Sequence, residues 1–198
     1  SAATRVNADG NIEKETSNII IESQRFNLWS PNGASSVDTD VTAAPDGTTT
    51  ADRLNMTNSG AGVYSVPSVQ NGYVYTQSVY IKNDSNCSAL RIGSDSFPPT
   101  AFVNYNAVTN SIISNGGSII SSSAEDVGSG WYRVSWSYVS LGSSNSFIIY
   151  SQNASAQSCF IWGAQQNEGL VAQQYVETQS VAVYGGITDN TPRLDYTD

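Results

Sequence analysis

Histidine is absent from the chain, and with it go the commonest general base, the usual nucleophile triads and the ordinary zinc, copper and non-haem iron sites. Catalysis would have to rest on carboxylates, tyrosines or lysine. The two cysteines, Cys87 and Cys159, are too few for a disulfide framework or a thiolate zinc site and read as separate or buried thiols. Basic residues are scarce as well. Eight of them against 17 acids leave a formal net charge of −9, a field that repels phosphate backbones and anionic membrane surfaces. No apolar run approaches the roughly 18 residues that span a bilayer. Neither nucleic acid binding nor membrane insertion is expected. The opening "SAATRVNADGNIEK" lacks the basic and apolar regions of a signal peptide, so the reading expects either intracellular assembly or a further part upstream.

What the chain has instead is Gly, Ser, Thr and Asn between short apolar segments, with 39% of residues apolar and only 13% charged. That composition suits many short strands joined by turns, and 198 residues suit one large all-β domain. Pro31 and Gly33 break "NLWSPNG", Pro-Asp-Gly marks a turn at 45–47, and Asn-Gly opens "NGYVYTQSVYIKND". Further strand candidates are "CSALRIG", "TAFVNYN", "SIIS", "GSIISSSAEDVG", "WYRVSWSYVS", "NSFIIYSQ" and "QSCFIWGAQQNEG". Strands spaced about ten residues apart, with turn residues between them, are the pattern of an antiparallel sandwich.

Alternation along "WYRVSWSYV" separates Tyr132, Val134, Trp136 and Tyr138 from Trp131, Arg133, Ser135, Ser137 and Val139. The first set is expected in the core, together with Val79, Ile81, Ile148, Tyr150 and Trp162. The opposite parity gathers Tyr80, Lys82, Trp131, Arg133 and Gln165. Their aromatic faces and planar polar groups are the kind that stack on pyranose rings and bond sugar hydroxyls, which makes these five the candidate glycan-binding residues. Trp131, at the start of its strand, has a second reading as a plug folded over the sandwich edge.

Two carboxylate pairs invite a catalytic reading, Glu125 with Asp126 and Glu168 with Glu177. The first pair adjoins in sequence on an expected loop and points apart, and Glu168 reads as a charge at a strand end. No pair at the roughly 5–10 Å separation of glycoside hydrolysis is expected, so the chain reads as a non-enzyme. "NADGNIE" alternates Asn7, Asp9, Asn11 and Glu13 around Gly10, a partial cation loop for which a metal-free turn and a structural calcium both stay open. No other cofactor is expected. Asp38, Asp40 and Asp46 read as exposed acids that maintain solubility.

"AAPDGTTTADRL", "YTQSVYIK", "GWYRVSWSYV" and "FIWGAQQNEG" followed by "AQQYVET" resemble, in that order, a jelly-roll module of bacteriophage virion, tail and head-fibre proteins. The module is similar to carbohydrate-binding modules and occurs also in bacterial surface or carbohydrate-active proteins. The resemblance spans residues 18–178. It implies an all-β, antiparallel jelly-roll β-sandwich over 19–178, an extended N-terminal arm or linker over 1–18, and a C-terminal linker over 179–198 leading to a next module. "TRVNADG" and "TPRLDYTD" share a short pattern that fits such a serial arrangement. The implied function is non-enzymatic: a phage fibre, tail or virion module that attaches to host-surface glycan and assembles with neighbouring virion subunits, commonly as a homotrimer. Two alternatives stand beside it. One is a carbohydrate-binding module of a secreted bacterial enzyme or of the bacterial cell surface, and the other is a purely structural spacer. Gln77 stands where such modules often place an aromatic, and Trp136 where a smaller β-branched residue is usual. If both point inward, the bulk lost at one is regained at the other.

Overall fold

A computed structural model describes residues 4–6, 12–14, 16–95 and 98–184. The alternating segments become β3 (Ser30–Asn32), β4 (Ser35–Thr42), β5 (Ala51–Met56), β6 (Gly62–Ser65), β7 (Val74–Ser85), β8 (Leu90–Ser94), β9 (Ala101–Asn106), β10 (Ser111–Gly117), β11 (Ile119–Gly128), β12 (Trp131–Val139), β13 (Phe147–Ser151) and β14 (Gln157–Glu168). A short pair, β1 (Thr4–Val6) and β2 (Ile12–Lys14), precedes them. β3 to β14 form two six-stranded antiparallel sheets. Sheet I has the order β10-β9-β8-β13-β6-β3, and sheet II the order β11-β12-β7-β14-β5-β4. The chain crosses repeatedly from one to the other, giving an all-β sandwich of the jelly-roll kind. No helix among the described residues is long and apolar enough to cross a membrane.

Period-two burial builds the core between the sheets. Sheet II contributes Leu54, Val79, Ile81, Val134, Trp136, Tyr138 and Ile161, and sheet I contributes Val63, Leu90, Ile92, Val103, Phe147 and Ile149. The two unusual residues meet there. Gln77 and Trp136 are cross-strand partners on β7 and β12, and the Trp136 indole N–H donates to Gln77 Oε1 at 3.0 Å. Gln77 in turn donates to Gln166 Oε1 at 2.7 Å. A buried indole and a buried amide thus satisfy each other, which is the condition for burying either.

Three of the expected core positions sit elsewhere. In β13 it is Phe147 and Ile149 that face the core, so Ile148 and Tyr150 lie on the outer face of sheet I. "FIIY" is apolar at four consecutive positions and gives no parity to read. Trp162 is buried, but on the outer face of sheet II in a second apolar cluster with Tyr80, Trp131, Ala44 and Ala51. The cause is a β-bulge. Gly163 takes φ +61° and the β14–β7 register shifts between Trp162 and Gln165, so Ile161 and Ala164 both reach the core while Trp162 and Gln165 both point out. Tyr132 is half-buried against the main core.

At the rim, buried Asp52 on β5 accepts the backbone N–H groups of Phe26 (3.0 Å) and Asp40 (3.1 Å), tying the 3-10 turn Phe26–Leu28 to β4. Burial raises its pKa to about 6, against the lowering effect of the two amides. The two cysteines are buried and unbridged. A hydrogen bond with Cys87 and burial hold the Cys159 thiol well above its ordinary pKa.

Candidate functional site

The five candidate glycan residues do share one face. Tyr80 lies opposite Arg133 on β12 and opposite Trp162 on β14, Gln165 lies opposite Ser78, and Lys82 opposite Phe160. All belong to the outward parity of sheet II. The face is covered, however. Trp131 is 1% exposed and Gln165 0%, and Tyr80 is buried, while Lys82 and Arg133 are half-buried. Trp131 therefore takes its second reading: its indole N–H donates to Ala43 O at 3.1 Å, in the loop between β4 and β5. Trp162 donates to Thr50 Oγ1 of the same loop at 3.0 Å.

The rest of the cover is the chain itself. After β14 the residues 169–183 return across sheet II, and outward side chains of the sheet hold their backbone. Thr76 and Ser137 hydroxyls donate to the carbonyls of Gly169 (2.7 Å) and Leu170 (2.8 Å). The Asn167 amide donates to Val171 O at 3.0 Å, and Arg133 Nη2 donates to Gln173 O at 2.6 Å. Gln165 donates to Gln173 O at 3.2 Å and accepts from Val176 N at 2.9 Å. Tyr175 closes the seal. Its ring lies 4.5 Å from Trp162 and 6.2 Å from Tyr80, and its hydroxyl bonds Ser23 Oγ at 2.7 Å. Burial raises the pKa of Tyr80 and Tyr175 and lowers that of Arg133. The segment ends at Val183, which forms an isolated antiparallel bridge with Asn18. The available signal in the sequence is Gln165 and Asn167, two amides of one parity at the end of a strand, which suit backbone binding.

The outer face of sheet I holds a set that parity did not reveal. Cross-strand register lays down two adjacent rows. One runs Tyr64, Ile148, Gly93, Phe102, Gly116, and the other runs Gly62, Tyr150, Arg91, Asn104, Ser114. Tyr64, Arg91, Phe102, Asn104 and Tyr150 are each half-buried, with part of each open to solvent. The Arg91 guanidinium lies 4.0 Å from the Phe102 ring centroid and 5.9 Å from that of Tyr150, a stacked cation–π arrangement. The far end of the Phe102 ring lies over Gly116, where a β-carbon would fall 2.1 Å from its Cζ. Asn104 accepts from Arg91 Nε at 3.2 Å and donates to Ser114 Oγ at 2.8 Å. Asp95 pairs with Arg91 at 3.6 Å and accepts from the Tyr150 hydroxyl, whose pKa is raised to about 12 by burial and then by that carboxylate. Rings, a guanidinium, an amide and a carboxylate are fixed side by side.

Glu125 and Asp126 fall inside β11 rather than on a loop. Of the calcium set, Asn7, Asp9 and Asn11 lie outside the described residues, and Glu13 lies in β2. No group of three or more Cys, Asp or Glu side chains among the described residues is placed to hold a metal.

No family model and no curated protein sequence matches the chain. Among solved structures, it is similar to the CBM22-1–GH10 modules of xylanase 10B from Clostridium thermocellum, complexed with xylohexaose: 13% identity, TM-score 0.49, 81% of this chain and 30% of that one. It is similar to the CBM22-1 xylan-binding domain of Paenibacillus barcinonensis Xyn10C at 17% identity and TM-score 0.48, over 79% and 95% of the two chains. Tailspike protein 4 of bacteriophage CBA120 matches at 10% identity and TM-score 0.45, over 77% of this chain and 21% of that one. The chain thus spans less than a third of the first and third of these proteins.

Proposed function

We propose that the protein is a non-catalytic carbohydrate-binding sandwich whose ligand lies on the outer face of sheet I. The observation that carries this reading is the partly open platform of half-buried Tyr64, Phe102 and Tyr150 with Arg91 and Asn104 fixed among the rings. Sugars need both elements: an apolar ring face against their C–H groups and planar polar groups held in place for their hydroxyls. The hydrogen bonds and stacking that immobilise Arg91 reduce the ordering cost of binding. Such a role serves a virion attachment unit and a module of a secreted carbohydrate-active protein alike. A glycan array followed by calorimetry tests it. Binding to at least one oligosaccharide is expected, weakened tenfold or more by Tyr64→Ala or Phe102→Ala with little change in melting temperature. Absence of any glycan ligand, or affinity unaffected by both substitutions, would overturn the proposal.

A further inference from the structure

On sheet II the returning segment leaves one part of the face unfilled. Between Leu170–Ala172 and strands β11 and β12 lies a groove of about 260 Å³, lined by Ser121, Ser123, Ser135, Glu125, Arg133 and Val171 among others. Its polar wall is in register, with Ser123 opposite Ser135 and Glu125 opposite Arg133. The two serine hydroxyls bond each other at 2.9 Å.

The charged pair is not satisfied in the same way. Arg133 spends Nη2 on Ser78 Oγ (3.0 Å) and on the Gln173 carbonyl, but its Nε is buried without a hydrogen-bond partner. Among the described residues Arg133 forms no ion pair, and Glu125, its cross-strand neighbour, forms neither a hydrogen bond nor an ion pair through its carboxylate. A donor and an acceptor therefore line one cavity without closing on each other. The Nε is sealed from solvent, so the donor that a ligand in the groove meets is Nη1, which makes no hydrogen bond among the described residues and is not buried.

We infer that this groove is a second binding site, and that it takes a neutral vicinal diol, such as one edge of a pyranose ring. One hydroxyl accepts from the guanidinium while its neighbour donates to Glu125, and the serine hydroxyls serve the remaining lone pairs and protons. Val171 and Leu170 supply the apolar wall for the ring's C–H groups. An anion fits less well, because Glu125 borders the cavity and the chain carries a net charge of −9. The site shares its class of ligand with the platform on sheet I but none of its residues, so either can fail without the other.

The experiment is a protein-observed NMR titration of the full chain with methyl glucoside, galactoside, mannoside and xyloside, and with glucuronate and inorganic phosphate as anionic arms. At least one neutral glycoside is expected to give saturable shifts of the Ser121–Glu125 and Ser135–Ser137 amides, unchanged in a Tyr64→Ala, Phe102→Ala double variant. Ser135→Tyr, which fills the groove, should abolish them. Glu125→Gln, an exposed isosteric change, should weaken binding about fivefold. No saturable shift with any neutral glycoside overturns the inference. So does tighter binding of glucuronate or phosphate than of the glycosides, or strengthening by Glu125→Gln, since both would mark an anion site.

Discussion

The two outer faces of the sandwich carry similar residue types and put them to opposite use. On sheet II, Tyr80, Trp131 and Trp162 are packed beneath a loop and a returning segment, and Arg133 and Gln165 bond backbone carbonyls of that segment. On sheet I, Tyr64, Phe102 and Tyr150 are only half-buried, and Arg91 stacks on a ring and bonds neighbouring side chains. An aromatic beside an arginine is thus not in itself a ligand site. What distinguishes the two is whether the chain supplies its own occupant.

The sharpest way to break this contrast is Trp131→Ala. If the sheet II face is a second core, losing a fully buried indole should cost about 3–5 kcal/mol in urea unfolding, and a cost below about 1 kcal/mol would return Trp131 to the surface. Next comes buried Asp52 on β5 of sheet II. Asp52 has a folded pKa raised from 3.8 to about 6, so the ionised form is the disfavoured one when folded. Its contribution to stability is fully present below about pH 4 and is lost as pH rises through about 6, an effect on the order of 2–3 kcal/mol. Asp52→Asn should flatten the pH dependence of the unfolding midpoint across that window. A smaller effect is expected for Tyr175→Ala, about 2 kcal/mol, read out as faster amide hydrogen exchange over 173–178 with little change in the strands of sheet I. The smallest belongs to the open face. Tyr64→Ala should shift stability by about 1 kcal/mol or less while removing most glycan affinity, which is the reverse of the Trp131→Ala pattern.

Much of the sandwich was legible because strand periodicity and turn chemistry are local. β7 and β12 alternate cleanly, so Val79, Ile81, Val134 and Trp136 could be placed inside from sequence, and the grouping of Tyr80, Arg133 and Gln165 on one face followed from parity. What was not legible was non-local or without period. The return of 169–183 over sheet II has no strand pattern, since side chains of the sheet hold its carbonyls. β13 offers four apolar residues in a row, so its sequence does not say that Phe147 and Ile149 face the core, and Tyr150 and the platform stay hidden with it. The Gly163 bulge inverted parity within β14, so that Trp162 was misplaced while Gln165 was placed correctly three residues on.

The manner in which the returning segment is held bears on how freely this protein can change. Because Thr76, Ser137, Arg133, Gln165 and Asn167 grip main-chain groups, the path of residues 169–172 depends little on the identity of its own side chains, whereas Gln173, Tyr175 and Thr178 anchor the rest through theirs. Leu170 and Val171 stand 56% and 74% exposed on that path. Substitutions there meet almost no folding constraint, yet they reshape one wall of the groove. The molecule thereby separates a fixed backbone path from a surface free to be substituted, a division that lets selection alter what the groove admits without reopening the question of how the chain folds.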